Sequence, residues 1–322
     1  MSKIAWLHLS DWHQKGADFD RKVVRDGLVR DIKDRTDFDP LLETVDFIVF
    51  SGDAAFSGQA QEFGAARTHL FDPVLEAVGL AADRLFFVPG NHDLDRETIT
   101  EMLPAGLQKP LKSDTEVQYW LTDDRRRNRA LESFEAYQDF VIGYTGQEQP
   151  AYASIKSMQL AGKSVVILGV NSAWMCSRNK DRDGEVDDRG RLVVGEPQIH
   201  DALIQIAPHD LRIVVVHHPF DWLTEFDRNR VEERLERGAH FILCGHQHVP
   251  KIRIVSGTGG ECVTLPAGAT YDRRRADDPR YTNAYNFVRL DLDAGEGVVH
   301  LRRWSDRRNE WIEDRHLSRW TL

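Results

Sequence analysis

The chain has 322 residues, 41% hydrophobic and 29% charged, with a formal net charge of −10. That is enough for one large domain or two ordinary ones with a sizeable core, and the composition excludes a disordered or fibrous protein. The acidic balance weighs against a protein dedicated to long nucleic acid. No run approaches the roughly 18 apolar residues of a membrane-spanning helix.

Residues 4–10 are largely apolar, as in a strand covered on both faces. They run directly into Asp11-Trp12-His13, so the start reads as a first strand and not as a secretion signal. In 21–34, Val23, Val24, Leu28 and Ile32 recur at helical spacing. A second apolar strand, 46–50, precedes Gly52-Asp53. Residues 62–78 read as a helix with Phe63, Ala66, Leu70, Val74 and Leu75 on one side. A third strand, 85–88, precedes Gly90-Asn91-His92-Asp93. Strand, helix, strand, helix, strand predicts an α/β layer on a largely parallel sheet.

The alternation then breaks. Residues 94–164 carry two helical patterns, 117–121 and 129–142, and no clear strand. A segment of that length is too long for a plain loop, so it predicts a helical insertion beside or over the site. Strands resume at 165–170, at 213–216 before His217-His218-Pro219, and at 241–244 before Gly245-His246-Gln247-His248. A charged loop, 178–191, lies between the first two. Residues 251–255, 261–265, 284–292, 297–304 and 309–313 alternate between turns. They predict antiparallel strands of a second sheet over 251–322, within a single domain of 1–322. Cys176, Cys244 and Cys262 form no spacing pattern, which suits a reducing compartment and a cytoplasmic protein.

Five polar motifs therefore each follow an apolar strand. Ligands of open α/β sheets collect beyond the carboxyl ends of the strands, so the motifs can converge in space. Carboxylate and imidazole donors suit Mn²⁺, Fe²⁺ and Zn²⁺. Asp53 is the natural bridge, because one carboxylate can face two cations. Each motif alone has a bland reading: a capped turn for Asp11-Trp12-His13, a surface loop for His217-His218-Pro219. Their joint order and type carry the signal.

In that order and type, the set resembles the calcineurin-like metallophosphoesterase superfamily over roughly residues 4–249. The resemblance implies a four-layer α/β/β/α metallophosphoesterase sandwich, here with the helical insertion. It implies two divalent metal ions, Mn²⁺ first, with Fe²⁺ or Zn²⁺ as alternatives. Asp11, His13, Asp53 and His248 would hold one, and Asp53, Asn91, His217 and His246 the other. His218 would lie behind the ligands or line the pocket. His92 would sit beside the phosphate and protonate the leaving oxygen, and Asp93 would orient the loop or His92. Two such cations acidify a shared water, so that hydroxide attacks phosphorus in line.

The residues around Asp53 narrow the branch. Residues 52–58 read GDAAFSG, without the arginine of protein serine/threonine phosphatases. Phe56 stands where purple acid phosphatases have tyrosine. The HHP and GHxH forms are similar to bacterial cyclic-nucleotide phosphodiesterases. A looser likeness is to bacterial phosphoesterase modules fused to NTPase or repeat domains. The expected activity is hydrolysis of a nucleotide or other small phosphodiester, with no membrane partner and an oligomeric state left open. A nuclease module is the alternative, and a non-catalytic scaffold the alternative of another class. The basic clusters at 125–129 and 273–275 read first as solvated surface, but would serve a nuclease. Trp12, Trp174 and Tyr271 are candidates for either pocket or core. The histidines outside the motifs read as structural or exposed.

Overall fold

The computed structural model describes residues 2–16, 18–98, 110–147, 153–177, 187–247, 252–257, 260–272, 283–314 and 320–321. Strand β1 (Lys3–Leu9) shows why the strands read as apolar runs. Its Ile4 and Trp6 face a second sheet, whereas Ala5, Leu7 and Leu9 face helices. A strand buried on both faces has no polar face to reveal its period.

The first sheet has the order β12-β11-β10-β1-β2-β3. Here β2 is Phe47–Phe50, β3 Leu85–Phe87, β10 Ala284–Asp291, β11 Glu296–Ser305 and β12 Glu310–Glu313. The short β13 (Trp320–Thr321) also pairs with β11. Strands β1, β2 and β3 run parallel, and β10 pairs antiparallel with β1.

The second sheet has the order β4-β5-β6-β7-β9-β8. It comprises β4 (Ala153–Leu160), β5 (Lys163–Val170), β6 (Leu211–Val216), β7 (Phe241–Cys244), β8 (Arg253–Gly257) and β9 (Gly260–Pro266). Strands β5, β6, β7 and β9 are parallel. The two sheets pack face to face through Trp6, Phe47, Val49, Ile213, Val215, Phe241 and their neighbours. Trp6 stacks on Phe47 at 5.5 Å and meets Phe241 of the other sheet edge-on at 5.3 Å.

Helices cover both outer faces. On the first sheet lie α1 (Phe19–Lys33), α2 (Ala60–Ala66) and α3 (Asp72–Val78), the last two joined by one wider turn at Arg67–Phe71. The chain between β3 and β4 supplies α4 (Asp114–Leu121), α5 (Asp124–Leu131) and α6 (Glu135–Thr145). Val117 and Trp120 of α4 and Leu131 of α5 pack on the second sheet, but Tyr137 and Val141 of α6 pack on the first. Helices α7 (Glu196–Ile206) and α8 (Glu225–Gly238) complete the outer layer of the second sheet. The result is the expected α/β/β/α sandwich.

Three sequence expectations change. Residues 94–164 do contain a strand, β4, which was hidden because it is an edge strand whose residues are mostly half-exposed or exposed. The trailing strands do not form one sheet. Strands β8 and β9 join the second sheet, while β10 to β13 return to the first beside β1, since alternation alone does not say which edge a strand joins. Helices α7 and α8 were not foreseen. Glu and Arg dominate α8, and its buried stripe is only Asp227, Val231 and Leu235, which gives a weak period.

Helix α1 is anchored to the first sheet by a buried charge. Asp31 accepts from Tyr285 Oη at 2.5 Å and from Arg302 Nε at 2.8 Å. Asp31→Ala leaves the Arg302 guanidinium, 8% exposed, without its counter-charge. The expected loss is about 3 kcal/mol, read as a lower urea midpoint at unchanged slope.

Candidate metal centre

The carboxyl ends of five strands, three from one sheet and two from the other, meet at one place. Asp11 and His13 follow β1, Asp53 follows β2, and Asn91, His92 and Asp93 follow β3. His217 and His218 follow β6, and His246 follows β7. His248 and the basic cluster at 273–275 lie outside the described residues.

The backbone there is bent to an unusual degree. Asp11, His13, Asp53 and His246 have φ of 55, 50, 61 and 68°. Left-handed backbone costs a non-glycine residue about 1–2 kcal/mol, and these four are a majority of the seven such residues described. The cost is offset by a lattice of backbone bonds. Asp11 N donates to Gly52 O, and His13 N to Asp53 O, both at 2.9 Å. Gly52 sits at φ 108°, where any Cβ would overlap the His217 ring. A Cβ on Gly90 would overlap the Asp53 carboxylate.

Asp53 is the centre of the arrangement. Its Oδ2 lies 3.2 Å from His13 Nε2 and 3.3 Å from His217 Nε2. Its Oδ1 accepts the His92 N–H at 2.7 Å. Burial alone would raise the Asp53 carboxyl. The charges of His217 and His92, with hydrogen bonds from His13 and His217, overcome that and hold it well below the usual range. Asp11 is fully buried, and its Oδ2 accepts the His246 N–H at 3.0 Å.

Asp93 clamps the loops. Its Oδ2 accepts from Asp53 N at 2.7 Å and Gly90 N at 2.9 Å, and its Oδ1 from Ala55 N at 2.9 Å. Burial and the Asp53 charge push its carboxyl up, to about 7, against those bonds. It thus joins the turn after β2 to the turn after β3.

Each histidine presents a defined nitrogen. His217 Nδ1 donates to Ser51 O at 2.7 Å, which aims Nε2 inward. That buried Nε2 faces Asp53 Oδ2 at 3.3 Å. His92 Nδ1 donates to Phe56 O at 2.7 Å, so Nε2 is the nitrogen left for a ligand. Burial lowers the His92 pKa. His218 N donates to Ser172 Oγ at 3.1 Å, so the hydroxyl hydrogen can turn to His218 Nδ1, 2.9 Å away. The protonated nitrogen is then Nε2, which donates to Asn91 Oδ1 at 3.2 Å. His218 therefore stands behind Asn91. The ring of His246 packs edge-on against Trp222 at 4.1 Å.

The donor set fits divalent cations. His217, His218 and His246 converge, as do His13, Asp53 and His92, and Asp11, Asp53 and His217, each trio with ligand atoms within 4.8 Å. Asn91, whose amide oxygen is a further candidate donor, is tied to these groups by its contact with His218. Sequence reasoning missed the carbonyls of Ser51 and Phe56, the Ser172 hydroxyl and Trp222. A carbonyl leaves no mark on residue type, so no sequence signal could have exposed the first two.

Other candidates stand outside the donor set, although Tyr271 lines the same cleft as His13 and His92. Trp174 is core, 1% exposed. Trp12 and Tyr271 meet edge-on at 6.1 Å beneath the Arg21 guanidinium. In the 125–129 cluster, Arg127 pairs with Asp124 and Arg129 with Glu132, and Arg126 lies over Tyr119. These local contacts suit a solvated surface.

Two face-to-face mixed sheets with Asp and His side chains at their shared end define a metallophosphoesterase fold. Residues 6–250 match the model of the calcineurin-like phosphoesterases, and the chain belongs to that family, whose chemistry is metal-dependent phosphoester hydrolysis. An uncharacterised metallophosphoesterase-like protein of Bacillus subtilis, YydB, is 23% identical over 98% of this chain. The match spans 63% of that relative's length. Among solved structures, sulfate thiohydrolase SoxB of Thermus thermophilus superposes with a TM-score of 0.50 at 11% identity. That match covers 96% of this chain and 58% of SoxB. GAP50 of Plasmodium gives 0.48 at 13% identity, covering 100% and 90%. At 11% identity, the likeness to SoxB is one of fold. No helix among the described residues is long and apolar enough to cross a membrane.

A cation taken by His217 would have to displace a proton. Burial pulls the His217 pKa down, but the Asp53 charge, with Asp11 and the Ser51 carbonyl, raises it to about 9. Nε2 is therefore protonated at pH 7 and must lose that proton to bind a cation. Mn²⁺ affinity is expected to rise from pH 7 to 9. Calorimetry in buffers of different ionisation enthalpy should show release of about one proton per protein at pH 7. Release of none would refute the assignment of His217.

Proposed function

We propose that the chain is a binuclear metal-dependent phosphodiesterase acting on a nucleotide or other small phosphodiester. The observation that carries this is Asp53, whose single oxygen Oδ2 faces His13 on one side and His217 on the other. That is what a carboxylate shared by two cations requires. Asp11, His13, Asp53 and His248 are the proposed ligands of one ion, and Asp53, Asn91, His217 and His246 those of the other. The donor chemistry suits Mn²⁺, with Fe²⁺ or Zn²⁺ as alternatives. When bound, such a pair supplies positive charge for the phosphate oxygens and acidifies a water.

The side chains have separate tasks in this reading. Asp53 keeps the two ligand sets in register, and Asp93 holds Asp53 through its backbone. His218 fixes the Asn91 amide so that its oxygen points inward. His92, its Nδ1 occupied by Phe56, offers Nε2 to the leaving oxygen. Burial keeps His92 neutral until an anionic phosphate beside it favours the proton, which it then delivers to the leaving group. A reducing, cytoplasmic setting suits the three cysteines, all buried thiols.

The test uses bis-p-nitrophenyl phosphate with Mn²⁺. Wild type is expected to turn over and to carry two metal ions by elemental analysis. Asp53→Asn should lose both metal and turnover. His92→Ala should keep its metal and lose roughly 10²–10⁴-fold in kcat. Stable folding with no turnover under Mn²⁺, Ni²⁺, Co²⁺ or Zn²⁺ would favour a scaffold instead.

A further inference from the structure

The proposed reaction leaves one large feature unused. A cleft of about 770 Å³ opens beside His13 and His92. Its walls include Lys15, Phe19, Phe56 and Tyr271. Small-molecule sites span about 300–1,000 Å³, so the cleft exceeds what a phosphate group needs and matches a nucleoside attached to it.

The lining has two halves. Near His92, the Phe56 ring is already engaged: the His92 ring lies 5.1 Å away, and Lys15 Nζ sits 3.3 Å over its centre. Farther out, Phe19 opens α1 with 77% of its surface exposed. It is the most exposed large apolar side chain described. The same ring borders a second hollow of about 380 Å³ that Trp12 also lines. Asp18 caps α1 through the N–H groups of Asp20 and Arg21, which places Phe19 at the first position of a regular helix.

Charge narrows the ligand. Arg21 is spent on the backbone, donating to the carbonyls of His13, Lys15 and Gly16. That leaves Lys15 as the exposed cation of the described lining, against Asp18, Asp20 and Asp272. Carboxylates accept hydrogen bonds from sugar hydroxyls, and Asp18 already accepts one such O–H, that of Tyr271 at 2.8 Å.

We infer that this cleft is a nucleoside subsite, in which Phe19 stacks the base of a nucleotide carrying one phosphodiester. The inference rests on the phosphodiesterase reading for the identity of the reacting group, but not for the binding itself. Lys15 offers a charge to the phosphate edge, and the carboxylates face the sugar.

The test is equilibrium binding of adenosine 5′-monophosphate and of ribose 5-phosphate, by calorimetry, with and without Mn²⁺. The two share sugar and phosphate and differ in the base. Stacking on one aromatic ring predicts that the nucleotide binds on the order of 10-fold tighter. In Phe19→Ala the ratio should fall close to one, and because Phe19 is exposed its removal should leave the melting temperature unchanged. Lys15→Ala should weaken both ligands alike. Equal affinities in wild type, no binding of the nucleotide, or a ratio that survives Phe19→Ala would each overturn the subsite. The Mn²⁺-free arm separates the two ideas: a base preference there stands even if the protein turns over no phosphodiester.

Discussion

Everything at this site depends on keeping one negative charge buried. The Asp53 carboxylate is 1% exposed, and an isolated carboxylate in such a place would take up a proton. It stays ionised because imidazoles from both sheets and a backbone N–H surround it. Those groups are themselves held by others. Ser51 O aims His217, Phe56 O aims His92, and Asp93 grips the peptide of Asp53. The consequence is a centre whose first ring of groups is preorganised by a second one, most of it main chain.

Strain is part of the same arrangement. Four of the candidate metal ligands sit in left-handed backbone, a conformation Asp and His tolerate better than branched residues do. The bends let short side chains turn back over the ends of the strands. They persist because the loops bond to one another, as where Trp12 and His13 donate to the Asp53 carbonyl. Rigid strands fix where each loop starts, and the loop bonds fix where each side chain ends.

Most of the architecture was legible because burial on both faces writes apolar runs into the sequence, each followed by its polar motif. The candidate donors stood out in the sequence because few side chain types can hold a metal. What stayed hidden had physical reasons. Strand β4 is an edge with little buried surface, and α8 shows a charged face with a narrow stripe. The return of β10 beside β1 is a matter of topology, not of local pattern. Lys15 and Phe19 belong to no motif, and only folding brings them to the cleft that His92 also lines.

The centre draws on both sheets at once: Asp11, His13 and Asp53 from one, His217 and His246 from the other. Ions held there would act as a rivet through the seam of the sandwich. A ligand that binds only the assembled state stabilises it by mass action. The reverse follows by the same thermodynamics. A seam contact such as Trp6 against Phe241, loosened enough to leave part of the metal-free protein unfolded, would appear as weakened metal affinity with every candidate ligand intact. Sheet packing and cation capture are then two readings of a single equilibrium.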